Sequence, residues 1–123
     1  PMYEIGNVSA KAVEILLSHE DEMRLSVERI NAGKKYFQDA MRVLGLDSYE
    51  SYGNFLHVRF GNYADAVHNS LEDKVHYRKD FKEPCLLGYS RFSSTTIERF
   101  KPIIKCIKKT LIQNKESSNN ENL

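Results

Sequence analysis

The sequence predicts an α+β fold, in which a long N-terminal helical arm precedes strand, helix, strand, strand and helix, and helices cover a small sheet. Three observations lead to this prediction. Residues 9–44 contain no proline, one glycine and mostly helix formers. Apolar residues then alternate over residues 54–60, and helical spacing returns after residue 95. With 123 residues, 41% of them hydrophobic, the chain has the size and composition of one globular domain.

The arm carries one apolar stripe and one expected break. Ser18, with Asp21 three residues later, is predicted to cap a second helix, so the arm should break or kink there. Gly45 follows at the position of a left-handed helix end. Lys34 is the one polar interruption of the stripe, which packs either in the core or against a partner helix or domain. The stripe consists of Met23, Val27, Ile30, Phe37, Met41 and Leu44.

Short elements follow the arm. A strand over residues 54–60 places Leu56, Val58 and Phe60 on one side and Phe55, His57 and Arg59 on the other. A short helix begins at Gly61 and ends near Leu71. Two further strands are predicted over residues 74–78 and 86–92, joined by a polar loop.

The last helix is predicted to begin at Thr95, which can cap it while Glu98 reaches back. Residues 114–123 contain one apolar residue in ten and are predicted to form a disordered tail. The predicted domain is therefore residues 1–113, made of the helical arm (1–45) and an α+β unit (46–113).

Composition excludes several classes of function. The net charge of +1 provides no general attraction for nucleic acid or an anionic membrane, and the apolar runs are too short to span a bilayer. Two cysteines make no disulfide framework, so a cytoplasmic location is expected. The four histidines are spread over different elements and are predicted to be solvated or satisfied imidazoles. No metal site and no self-contained catalytic site is predicted.

Two arginines stand out. Arg78 closes one predicted strand and Arg91 lies near the end of the next, among tyrosine and serine residues. A guanidinium is always charged and binds a carboxylate through two parallel hydrogen bonds. An arginine held at a strand end therefore suits an acidic substrate.

Several motifs, in their order and spacing, resemble the C-terminal part of class I/II pyridoxal-phosphate aminotransferases, and histidinol-phosphate aminotransferase most closely. The start of the chain is also similar to the Pro-Tyr segment that leads into the interdomain helix of that family. The match covers residues 1–112. Its motifs are Ser51-Tyr52-Gly53-Asn54-Phe55-Leu56-His57-Val58-Arg59-Phe60, Val75-His76-Tyr77-Arg78 and Tyr89-Ser90-Arg91-Phe92-Ser93-Ser94, with Glu98 beyond.

The resemblance implies the small domain of a fold type I pyridoxal-phosphate-dependent transferase. The resemblance also implies that Arg91 binds the α-carboxylate of a small amino-acid substrate and that Arg78 helps to hold a distal anionic group. The chain has Ser90 and Ser94-Thr95 where the family usually has an aliphatic residue and a Gly-Thr pair.

The family's Schiff-base lysine and its other cofactor-binding residues belong to an upstream, N-terminal domain. Pyridoxal phosphate is therefore expected in the parent enzyme, a homodimer, and not in this chain alone, which should be inert. The alternative from another class is a free-standing module for interaction or for binding an acidic metabolite. In that case Arg78 and Arg91 bind the metabolite or simply pair with Glu and Asp.

Overall fold

Residues 5–120 form four α-helices and one three-stranded antiparallel sheet, so the predicted α+β class is confirmed. The computed structural model describes residues 5–120, with side chains over residues 5–116. The sheet order is β1-β2-β3. The helices are α1 (Asn7–Leu17), α2 (Glu20–Val43), α3 (Ala64–Leu71) and α4 (Ile97–Asn120), and the strands are β1 (Asp47–Tyr49), β2 (Phe55–Arg59) and β3 (Tyr89–Ser93).

The arm breaks where the sequence predicts, between α1 and α2, but Ser18 has a different part in the break. It ends α1 instead of capping α2, because its hydroxyl donates to the carbonyl of Ile15 at 2.6 Å. Residue His19 precedes α2 and supplies no side-chain cap. At the other end of α2, Gly45 has a φ of 73° and ends the helix as predicted.

The predicted strands need three corrections. Strand β1, with the short polar sequence Asp47–Tyr49, was missed, and it forms by pairing with β2. The strand predicted over residues 74–78 is wrong: Lys74 and Val75 continue the turn after α3, and only Arg78 pairs with β3. The strand predicted over residues 86–92 is shifted to Tyr89–Ser93, because a 3-10 turn (Pro84–Leu86) precedes it.

Helices cover one face of the sheet, which we call the inner face. It presents Leu56 and Val58 of β2 and Phe92 of β3 to the second half of α2 and to α3 and α4. The arm and the α+β unit thus share one core. The buried core residues are Phe37, Met41, Leu46, Leu56, Val58, Phe60, Val67, Leu71, Phe92, Phe100, Ile107 and Leu111.

Gly33 and Lys34, two consecutive residues of α2, both contact segments next to that helix. A Cβ added at Gly33 would lie 1.8 Å from the carbonyl oxygen of Thr95, so only glycine fits there. The amine of Lys34, the polar interruption of the stripe, is buried and donates to the carbonyls of Ser51 and of Gly53, the latter at 3.0 Å. These bonds fix the turn between β1 and β2.

Helix α4 differs from the prediction at both ends. It begins at Ile97, and the N–H of Phe100 donates to the carbonyl of Thr96, so Thr96 stands where Thr95 was expected. Its C-terminal end continues to Asn120, through most of the predicted disordered tail, because an established helix adds residues at little cost. Residues 121–123 of that tail, and residues 1–4 with the Pro-Tyr segment, lie outside the described residues.

Candidate anion-binding site

The face of the sheet opposite the core, which we call the outer face, carries aromatic and positively charged residues. Side chains alternate between the two faces of a strand, so this face receives every second residue of β2 and β3. In the register of these strands, His57 lies opposite Arg91 and Arg59 lies opposite Tyr89. Phe55 lies opposite Ser93 at the same face.

Arg78 reaches this face from the segment that follows α3. Its N–H donates to the carbonyl of Arg91 at 3.0 Å, and the N–H of Arg91 donates to the carbonyl of Arg78 at 2.7 Å. Residues that exchange both backbone bonds in this way place their side chains on the same face. The structure therefore brings together the two arginines that the sequence analysis selected.

Phe81, which is buried, packs against both guanidinium groups. Its ring centroid lies 4.4 Å from Cζ of Arg78 and 5.8 Å from Cζ of Arg91. Arg91 also lies over the ring of Phe55, at 5.2 Å from its centroid. Aromatic faces attract guanidinium groups and restrict their motion without using their hydrogen-bond donors. Both arginines thus keep their donors for an anion.

No acidic side chain pairs with either arginine in the part of the chain that the structure describes. Its four ion pairs join side chains of α1 or of α2. Internal pairing of Arg78 and Arg91 with Glu or Asp, which the sequence left open, is not found over residues 5–120. Two positive charges therefore lie on one surface without an ion-paired carboxylate over residues 5–120, and this arrangement attracts an anion.

His57 was missed as a site residue, and the prediction that it is solvated or satisfied is wrong. Its side chain is buried, with 8% exposure, and Nε2 has no hydrogen-bond partner. Rings pack around it from Tyr49, Phe55 and Phe81, with centroids at 6.5, 5.4 and 5.7 Å. Burial lowers the pKa of His57, and the charge of Arg91 lowers it further. The alternation of β2 had placed His57 with Phe55 and Arg59 on the side of the strand away from Leu56, and that was its only signal in the sequence.

Side chains of the outer face also hold the loop that carries Phe81. The hydroxyl of Tyr49 donates to the carbonyl of Cys85 at 3.1 Å, and Nη2 of Arg59 donates to the carbonyl of Leu87 at 3.1 Å. Tyr49 stacks on Tyr89 with ring centroids 4.5 Å apart. The loop is thereby fixed beside the arginine pair.

Neither a comparison with protein-family models nor one with curated proteins finds a match for the chain. Over residues 5–120, no helix is both long and apolar enough to cross a membrane. Over the same residues, no group of three or more His, Cys, Asp or Glu side chains is placed to hold a metal ion. The outer face thus presents two neighbouring guanidinium groups that have no acidic partner over residues 5–120.

Proposed function

We propose that this chain is the C-terminal small domain of a cytoplasmic pyridoxal-phosphate aminotransferase, similar to histidinol-phosphate aminotransferase. In this proposal Arg91 binds the α-carboxylate of the amino-acid substrate, and Arg78 binds a second anionic group. The observation that carries the proposal is the pairing of Arg78 with Arg91 across the edge of β3, with no acidic partner over residues 5–120.

The exposed apolar surface of the helical arm supports the proposal that a further domain packs against it. Apolar side chains of α1 and the first half of α2 face outward, with Leu16 at 67% and Met23 at 55% exposure. A groove lined by Val13, Leu17 and Val27 runs along the same part of the arm. Contiguous exposed apolar surface typically marks an interaction surface. The N-terminal, pyridoxal-phosphate-binding domain of the same protein is the partner we propose for it, within a homodimeric parent.

Lys11 and Lys34 do not fit the covalent attachment of pyridoxal phosphate. Lys11 lies on the exposed face of α1 in an ion pair with Glu14, at 2.9 Å, and the buried amine of Lys34 is used by two backbone carbonyls. A Schiff-base lysine needs a free amine beside the cofactor. The cofactor and its chemistry are therefore assigned to the preceding domain, and the role of this chain is to bind and orient the substrate.

The proposal is tested in the enzyme formed with the upstream domain. Arg91→Lys keeps the charge but cannot form the planar fork, so we expect a loss of kcat/KM of about 30-fold to 1000-fold. Arg78→Lys should lose less, and mainly with substrates that carry a second anionic group. Arg24→Lys, on the arm and paired with Glu20, is the matched control.

Two results would contradict the proposal. Equal loss with an amine that lacks a carboxylate would show that Arg91 acts through the fold. A reading frame that begins at residue 1, with no upstream cofactor domain, would favour the free-standing acidic-metabolite module instead.

A further inference from the structure

The sheet register places one more polar group beside the arginine pair, the buried imidazole of His57. It lies directly opposite Arg91 on the neighbouring strand. Phe81 contacts all three groups, because its ring packs edge-on against His57 and also lies under both guanidinium groups. A buried nitrogen without a partner destabilises a fold, so a polar group at this position calls for a ligand or a functional role.

We propose that His57 is the third anion-binding residue of the Arg78 and Arg91 site, and that its imidazole takes up one proton from solvent when an anion binds. This inference rests on the proposed function, because it requires that Arg91 bind an anion. No bond other than that to the proton is formed or broken. The doubly protonated ring has N–H donors at both nitrogens and carries a positive charge opposite Arg91, so it attracts the anion bound there.

The charges around His57 give the direction of the effect. The groups that face it are Tyr49 from β1, Arg91 from β3 and, across Phe81, Arg78. None of them is a carboxylate, and in the free site burial and the Arg91 charge keep the pKa of His57 below its ordinary value of 6.5. An anion on Arg91 cancels that repulsion and attracts the imidazolium, so the pKa rises in the complex.

The test uses sulfate, because its charge does not change between mildly acidic and alkaline pH. Calorimetric titrations of the whole chain at pH 6.5, in two buffers with different heats of ionisation, count the protons taken up for each sulfate bound. We expect uptake of a fraction of one proton, which vanishes at alkaline pH. Affinity for sulfate should rise as the pH falls, by up to about tenfold for each unit by which binding raises the pKa.

Two variants distinguish the proton uptake by His57 from proton uptake by the other histidines. His57→Gln keeps a polar side chain that cannot titrate, so it should bind sulfate with no proton uptake and no pH dependence below neutrality. His76→Gln, at an exposed position, should behave like the wild type. NMR titration of the His57 ring in the wild-type chain, with and without sulfate, gives the same answer without any variant.

The outcomes distinguish this inference from the proposed function. Sulfate binding without proton uptake, or uptake that persists in His57→Gln, overturns the role of His57 and leaves the arginine site intact. Sulfate binding that Arg91→Gln does not weaken overturns the arginine site, and the role of His57 with it.

Discussion

The two faces of the small sheet are formed by the same strands but differ in burial and charge. On the inner face, Leu56, Val58 and Phe92 are fully or almost fully buried against helices. On the outer face, the alternating residues of the same strands include His57 and Arg91, and a loop with Phe81 covers them only in part. One residue step along a strand thus separates the side chains of the core from those of the proposed anion site.

Folding stability is located on the inner face, and the proposed anion binding is located on the outer face. Apolar contacts of the inner face contribute free energy of folding in proportion to the area they bury. The guanidinium groups of Arg78 and Arg91 on the outer face have no acidic partner over residues 5–120, so they contribute little to folding and remain available to an anion. Substitutions on the two faces should therefore change different measurements.

The largest expected change in folding stability comes from truncating Phe92 on the inner face, compared with Phe55 on the outer face. Phe92 is 1% exposed and its ring packs against Phe37, Phe60 and Tyr77. Phe92→Ala should lower the free energy of unfolding by about 3 to 5 kcal/mol, as measured by urea denaturation. Phe55→Ala, at 39% exposure on the outer face, is the matched control and should cost about 1 kcal/mol or less. Equal losses for the two variants would refute the division between the faces.

A smaller effect, of the opposite sign, is expected at His57. Replacing it by leucine removes a buried nitrogen that has no partner, so His57→Leu should raise the free energy of unfolding at alkaline pH by about 0.5 to 1 kcal/mol. Chemical denaturation at several pH values measures this gain. A loss of stability at alkaline pH would show that the imidazole is satisfied in the folded chain.

Acidification should widen the gap between His57→Leu and the wild type. Below pH 6.5 the unfolded chain binds a proton at His57 that the folded ring resists, so wild-type stability falls as the pH drops through that value. His57→Leu should lose less over the same range. Some loss will remain, because burial also lowers the pKa of His68. His76→Leu is the exposed control and should follow the wild type.

The strongly patterned elements were predictable from the sequence. The alternation of Leu56, Val58 and Phe60 defined β2, and the helical stripe ending at Gly45 defined α2, because burial on one face imposes a period on the sequence. Strand β1 carries no such period. It exists through hydrogen bonds to β2, which is a tertiary effect, and so its three residues gave no signal.

The candidate site was predictable in part. Arg78 and Arg91 were found from their residue type and their places at predicted strand ends. Their contact was not predictable, because it depends on a single backbone pair at the edge of β3. His57 joins the site through the register of β2 and β3, and Phe81 joins it through the loop that packs on the outer face; no local sequence pattern encodes either contact.

We propose that the outer face binds an organic anion through Arg91 and Arg78. The most direct measurement is an NMR titration of the arginine side-chain N–H groups of the chain with succinate, a dicarboxylate. We expect saturable shifts of the Arg91 and Arg78 signals in the wild-type chain. Arg91→Gln should abolish the shift of the Arg78 signal, and Arg78→Gln should weaken succinate binding at Arg91. Arg24→Gln, on the arm, should change neither signal. Linear shifts of equal size at every arginine, unaffected by Arg91→Gln, would contradict the claim.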